Sequence, residues 1–227
     1  MRRVIQGGLL AQLLPTWLGG AESFTDPPEA ALLPEEEQLV ARAVDKRRRE
    51  VTTTRSCARR ALAELDLPPA PIPRGERGEP VWPDGVVGSM THCDGYRAAA
   101  VGRTQDVHTV GIDAEPHHAL PDGVLEVVAL PAEIDHLKQL STVDSSVHWD
   151  RILFSCKESV YKAWFPLAHD WLGFEDAELS FDPQRRSFHA RLRKEGPEVG
   201  GSPLRGFDGS WLVQGGLAVT AIARVRG

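Results

Sequence analysis

Apolar and polar positions change period along this chain, and each change marks an element. From Val107 to Ile112 an apolar, β-branched-rich run follows the polar Gln105-Asp106. That pattern predicts a buried strand running on to Glu115, which Pro116 ends because it has no N–H for a ladder. Around Trp149–Phe165 the period is helical. Leu153, Cys156, Val160 and Trp164 form one stripe, and Pro166 is expected to stop the helix. Upstream, Leu33-Pro34 and then Glu35, Glu36 and Glu37 open a helix through Ala41 and Val44, with proline at its first position and acids in its first turn. A second helix reaches about Leu65, where Pro68, Pro69 and Pro71 break it.

Residues 71–85 read as a Pro/Gly-rich loop. Val86–His92 and Tyr96–Val101 read as strands joined by the hairpin turn Asp94-Gly95. Val124–Ala129 is apolar with no deciding period. Trp171–Phe174, Ala177–Phe181, Ser187–Leu192 and Trp211–Arg224 read as strands or hairpins, with a Gly-Gly turn at Gly215-Gly216 and a loop at 196–209. Residues 4–14 read as a short helix or strand, and 15–25 as a strand or loop. There is also an echo: Leu130-Pro131-Ala132-Glu133 repeats Leu33-Pro34-Glu35-Glu36, and a Ser-Cys helix follows each, at Ser56-Cys57 and Ser155-Cys156. The echo suggests a duplicated unit, with chance as the alternative.

The 227 residues, 41% of them hydrophobic, suffice for one large domain or two small ones sharing an interface. Three scattered cysteines without a CxxC argue against a zinc site or disulfide framework and fit a reducing, cytoplasmic setting. Arg2-Arg3 before an interrupted apolar run only faintly resembles a signal peptide, and no stretch reaches the length of a membrane span. The net charge of −6 disfavours nucleic acid. Yet Lys46–Arg60 carries seven basic residues in fifteen, a local anion site in an acidic protein.

Asp113 and Glu115, two apart on a strand, point the same way. Such carboxylates are either a solvated acidic strand end or ligands of a hard cation such as Mg²⁺. Glu158 and Lys162, four apart, share a helix face. The plain reading is a surface ion pair. On so apolar a helix the two need partners, which a metal for Glu158 and a phosphate for Lys162 would supply.

A strand reading Gly111-Ile112-Asp113-Ala114-Glu115, then Lys157-Glu158-Ser159-Val160-Tyr161-Lys162 some forty residues later, resembles the 4′-phosphopantetheinyl transferase superfamily. Gly88–Cys93 and the chain length resemble its surfactin- and enterobactin-type branch. The likeness runs from about Ala30 to Phe165 and is weak in the last sixty residues. It implies an α+β fold of two similar α/β halves, residues 1–106 and 107–227, related by a pseudo-two-fold axis with the active site between them. It implies transfer of the phosphopantetheine arm of coenzyme A to a serine of an apo acyl or peptidyl carrier protein, releasing 3′,5′-ADP. Asp113, Glu115 and Glu158 would hold Mg²⁺ or Mn²⁺, Glu158 would take the serine proton, and Lys162 would neutralise the pyrophosphate, with Lys157 assisting.

The family's basic motif falls on Lys46–Arg55, with Val51 and Thr54 departing from its usual Phe and Gly. Arg47 and Arg55, eight apart, share a helix face and are expected at the 3′-phosphate. Arg74 stands at the loop position often lysine in the family, and His92 matches a histidine contacting a coenzyme A phosphate. Leu120, Val124, Leu125 and Val127 could offer an apolar face to the carrier, or pack inward. A monomer is expected. His117 and His118 read as loop residues, not zinc ligands. Two rivals remain: a metal-dependent phosphoesterase and a non-catalytic anion-binding module.

Overall fold

The computed structural model describes residues 8–226. Residues 4–7 of the expected N-terminal element lie outside these; Leu10–Gln12 form a single 3₁₀ turn. The elements then run β1 (Gly19–Ser23), α1 (Asp45–Glu64), β2 (Val86–Cys93), β3 (Tyr96–Arg103), β4 (Val107–Pro116), α2 (Val124–Val128), α3 (Pro131–Val143) and α4 (Trp149–Ala168). They close with β5 (Ala177–Asp182), β6 (Ser187–Leu192), the short pair β7 (Glu198–Val199) and β8 (Ser202–Pro203), β9 (Gly206–Gln214) and β10 (Leu217–Val225).

Two antiparallel sheets carry the fold: three strands in the order β1-β3-β2, and five in the order β4-β10-β9-β6-β5. Helix α1 packs on the first sheet and α4 on the second, burying Cys57, Ala61 and Leu62 on one and Leu153, Cys156, Val160 and Trp164 on the other. Glycine permits both close approaches. A Cβ on Gly19 of β1 would lie 2.1 Å from the Ala61 carbonyl oxygen of α1, and one on Gly111 of β4 2.2 Å from that of Ser159 in α4.

The echoed Leu-Pro motifs do the same work twice. Glu36 accepts from the Leu33 and Ile72 amides and from Arg59 of α1. Glu133 accepts from the Leu130 and Leu179 amides and from Lys157 of α4. Both carboxylates are fully buried. Such a charge is tolerable only when paired and hydrogen-bonded, as each is.

The two sheets meet edge to edge at β2 and β4 without a backbone ladder. Ser89 Oγ accepts from the Ile112 amide (3.0 Å) and Thr91 Oγ1 from that of Ala114 (3.1 Å). These partners rise together along both strands, which therefore run parallel at the seam.

Four expectations need correction. Pro166 does not stop α4, which runs to Ala168 and ends at His169 in the left-handed region (φ 50°). Proline at this position forfeits the bond to the Lys162 carbonyl and crowds it, and only two residues of the helix follow. The helix opened by Pro34 is a 3₁₀ segment, Pro34–Val40. Phe174–Asp176 is a 3₁₀ turn where a strand was expected. The loop at 196–209 contains the β7–β8 ladder and the start of β9. Val124–Ala129, undecided by period, forms α2 through Val128. No helix among the described residues is long and apolar enough to cross a membrane.

Candidate active site

A cleft of about 630 Å³ opens between the two helix-on-sheet units. Its basic end is lined by Arg47 and Arg55 from α1, Arg74 and Arg77 from the loop before β2, and His92 from the end of β2. Glu158, Tyr161 and Lys162 come from α4. Its apolar lining includes Val51, Trp82, Val86 and Met90. Trp82 is fixed by its indole N–H donating to the Gly88 carbonyl (3.0 Å). A smaller pocket of about 120 Å³ lies beyond Glu158 and Tyr161 and is walled by Trp171, Leu172 and Phe174.

The basic end is short of anions. Arg55 Nε has no hydrogen-bond partner, and burial holds the guanidinium's pKa down at about 10. An unsatisfied buried donor carries a desolvation cost that a ligand oxygen would remove. His92 meets Arg47 through Nε2, while its Nδ1 lies 3.6 Å from Glu50. Burial first, and the Arg47 charge next, push the imidazole pKa down to about 4. The ring is therefore neutral at pH 7.

The acidic end is built on β4 and α4. Asp113 accepts from Lys162 Nζ (2.7 Å) and Thr91 at Oδ1, and from Ser155 Oγ (2.8 Å) at Oδ2. Glu115 accepts from Arg151 (3.0 Å), which also donates to the carbonyls of His118 and Ala119. Burial, followed by the Asp113 charge, raises the pKa of both Glu115 and Glu158. The described residues form no ready-made group of three Asp, Glu, His or Cys side chains around one point. Lys162 and Arg151 instead stand on two of the three carboxylates.

Of the residues expected at the site, Arg47, Arg55, Arg74, His92, Glu158 and Lys162 line the one cleft. Asp113 joins them through Lys162, and Glu115 follows on the same strand face. Lys157 does not face this cleft. It lines the smaller pocket beside Glu158, with its ammonium buried between Glu133 (2.8 Å) and the Phe174 carbonyl (2.7 Å). Position 157 lies about 100° round the helix from 158, so adjacency in sequence separates the two side chains. Sequence reasoning missed Arg77 and Trp82, hidden in the 71–85 loop, and Arg151, one turn before Ser155. Within the 117–137 segment, Val127 is exposed while Leu125 packs toward the core. His117 accepts from the His148 amide in the turn after β4.

Comparison with known proteins places the chain in a family. The family model "4'-phosphopantetheinyl transferase N-terminal domain" matches residues 35–102, and that of the "4'-phosphopantetheinyl transferase superfamily" matches 109–199. The 4′-phosphopantetheinyl transferase Svp of Streptomyces mobaraensis is 55% identical over 95% of this chain and 89% of its own. PptT of Mycobacterium tuberculosis is 51% identical over 95% and 98%, and Npt of Nocardia iowensis 49% over 95% and 99%; both carry the same enzyme name. The chain belongs to the 4′-phosphopantetheinyl transferase superfamily.

Proposed function

We propose that the cleft binds coenzyme A and that the enzyme moves its 4′-phosphopantetheine arm to a serine of an apo acyl or peptidyl carrier protein, releasing 3′,5′-ADP. One observation supports this reading: a single cleft is lined by Arg47, Arg55, Arg74 and His92, by Glu158 and Lys162, and by apolar side chains including Val51, Trp82 and Met90. Coenzyme A offers phosphates to the cations and a nucleoside to the apolar side chains. Arg47, Arg55, Arg74 and His92 hold the 3′-phosphate. The small pocket beyond Glu158 suits the uncharged pantetheine arm.

Asp113, Glu115 and Glu158 fit a divalent cation by donor chemistry: all offer hard oxygens, and two have pKa values raised by burial and by Asp113. Mg²⁺, or Mn²⁺ in its place, would when bound supply charge that polarises the pyrophosphate. Glu158 accepts the serine proton. Lys162 neutralises charge on the departing phosphate. The matched anchoring of Glu36 and Glu133 supports two related halves meeting between β3 and β4, at residues 1–106 and 107–227. Carrier docking falls to the exposed part of the 117–137 segment, next to Glu115. The enzyme works as a cytoplasmic monomer.

The test incubates the purified protein with apo carrier protein, coenzyme A and Mg²⁺, and weighs the intact carrier. A gain of one phosphopantetheine, abolished by EDTA and by Glu158→Ala, is expected. Release of 3′,5′-ADP without carrier modification would replace the reading with hydrolysis. Coenzyme A binding with no turnover on any carrier class would leave a binding module.

A further inference from the structure

Behind Asp113 lies a chain of hydroxyls that the proposed chemistry does not use. Ser155 Oγ donates to Asp113 Oδ2 (2.8 Å). Thr220 of β10 lies 3.0 Å from Ser155 Oγ and 3.0 Å from the Ser155 carbonyl, and Ser159 Oγ bonds Thr220 in turn. All three hydroxyl residues are fully buried. Threonines in the interior of α1 bond back to carbonyls one turn earlier, as Thr52 does to Arg48 and Thr54 to Glu50. Ser155 and Ser159 turn instead toward β4 and β10.

Proton counting sets the direction. An ionised carboxylate can only accept, so the Ser155 proton goes to Asp113. The Thr220 proton is shared between the Ser155 carbonyl and the Ser155 hydroxyl, each 3.0 Å away, and that of Ser159 goes to Thr220. The result is a one-way chain, Ser159 to Thr220 to Ser155 to Asp113, each donor polarised by the next. The two oxygens of Asp113 therefore differ. Oδ2 is held from inside by neutral donors. Oδ1 is held by Thr91 and by Lys162, whose side chain lines the cleft.

From this asymmetry we infer that Ser155, backed by Thr220 and Ser159, is a positioning residue that orients Asp113 for a divalent cation, keeping Oδ2 fixed and Oδ1 presented to the cleft. The inference rests on the cation reading above. Outer partners of this kind typically change metal affinity 10- to 100-fold when removed. The effect should weaken along the chain, being largest at Ser155 and smallest at Ser159.

The experiment uses the full chain and Mn²⁺ as probe, counting free Mn²⁺ by its paramagnetic resonance signal with coenzyme A present. Ser155→Ala should raise the Mn²⁺ Kd about 10-fold or more, Thr220→Val less, and Ser159→Ala least. The KM for Mg²⁺ should rise in the same order. Binding of 3′,5′-ADP without metal should not change, whereas a loss of packing would weaken it too. Wild-type Mn²⁺ affinity in Ser155→Ala, or parallel loss of Mn²⁺ and 3′,5′-ADP binding, overturns the inference alone. No Mn²⁺ binding by the wild-type protein overturns both the inference and the cation reading. If Ser155→Ala fails to fold, Thr220→Val carries the same test with its volume kept.

Discussion

Replacing Lys157 by methionine tests what this lysine is for. Its ammonium and the Glu133 carboxylate are both about 1% exposed and lie 2.8 Å apart. Methionine keeps the unbranched stem but leaves Glu133 with only the Leu130 and Leu179 amides, each at 2.7 Å. Removing one partner of a buried pair costs about 3–5 kcal/mol, because the survivor's charge is uncompensated. Two good backbone donors remain, so the lower end applies, about 3 kcal/mol. In a chain of this size that lowers Tm by roughly 6–12 °C. The assay is thermal unfolding without ligand, paired with titration of coenzyme A. Adding Glu133→Gln should restore only part of the loss: it removes the uncompensated charge, but its NH2 must face one of the two backbone N–H donors. A Tm within about 2 °C of wild type, together with lost coenzyme A affinity, would refute the reasoning and return Lys157 to the phosphates.

Three other outcomes follow. Arg55→Met should weaken 3′,5′-ADP binding about 10- to 150-fold, the worth of a charge-assisted hydrogen bond, with Tm undiminished because Arg55 Nε has no protein partner to lose; calorimetry checks it. His92 has its pKa pushed from 6.5 down to about 4, so between these values the unfolded chain binds more protons. The stability tied to its neutral ring is complete above pH 6.5 and is lost as pH falls toward 4. His92→Gln should therefore lose less stability than wild type between pH 7 and 5, read as urea midpoints. Gly111→Ala should destabilise by about 1–3 kcal/mol or more, since its Cβ would lie 2.2 Å from the Ser159 carbonyl oxygen; denaturant unfolding reads it.

Much of the site was legible because its parts sit on strongly periodic elements. Alternation along β4 put Asp113 and Glu115 on one side, and helical spacing paired Glu158 with Lys162. The Leu-Pro echo was visible too, though not that its glutamates anchor backbone amides of distant segments. The ion pair of Lys157 was not legible, because its partner Glu133 lies 24 residues earlier. Arg77 and Trp82 were missed for another reason. Their directions depend on the Gly75–Gly78 turn and the Arg74–Pro80 bridge, neither of which has a hydrophobic period to read. The Ser155 chain was equally hidden, because serine inside a helix usually serves its own backbone.

Glu133 and its neighbour on α3 also close the open side of the larger sheet. Strand β5 is its last strand, with outward amides that could recruit another chain. Glu133 takes the Leu179 amide and His136 Nε2 the Phe181 amide (3.3 Å), with the His136 ring stacked on Phe181. The residues that brace α4 thus also guard the protein's solubility. Damage here would show itself first as aggregation in the expressing cell, before any assay found an inactive enzyme.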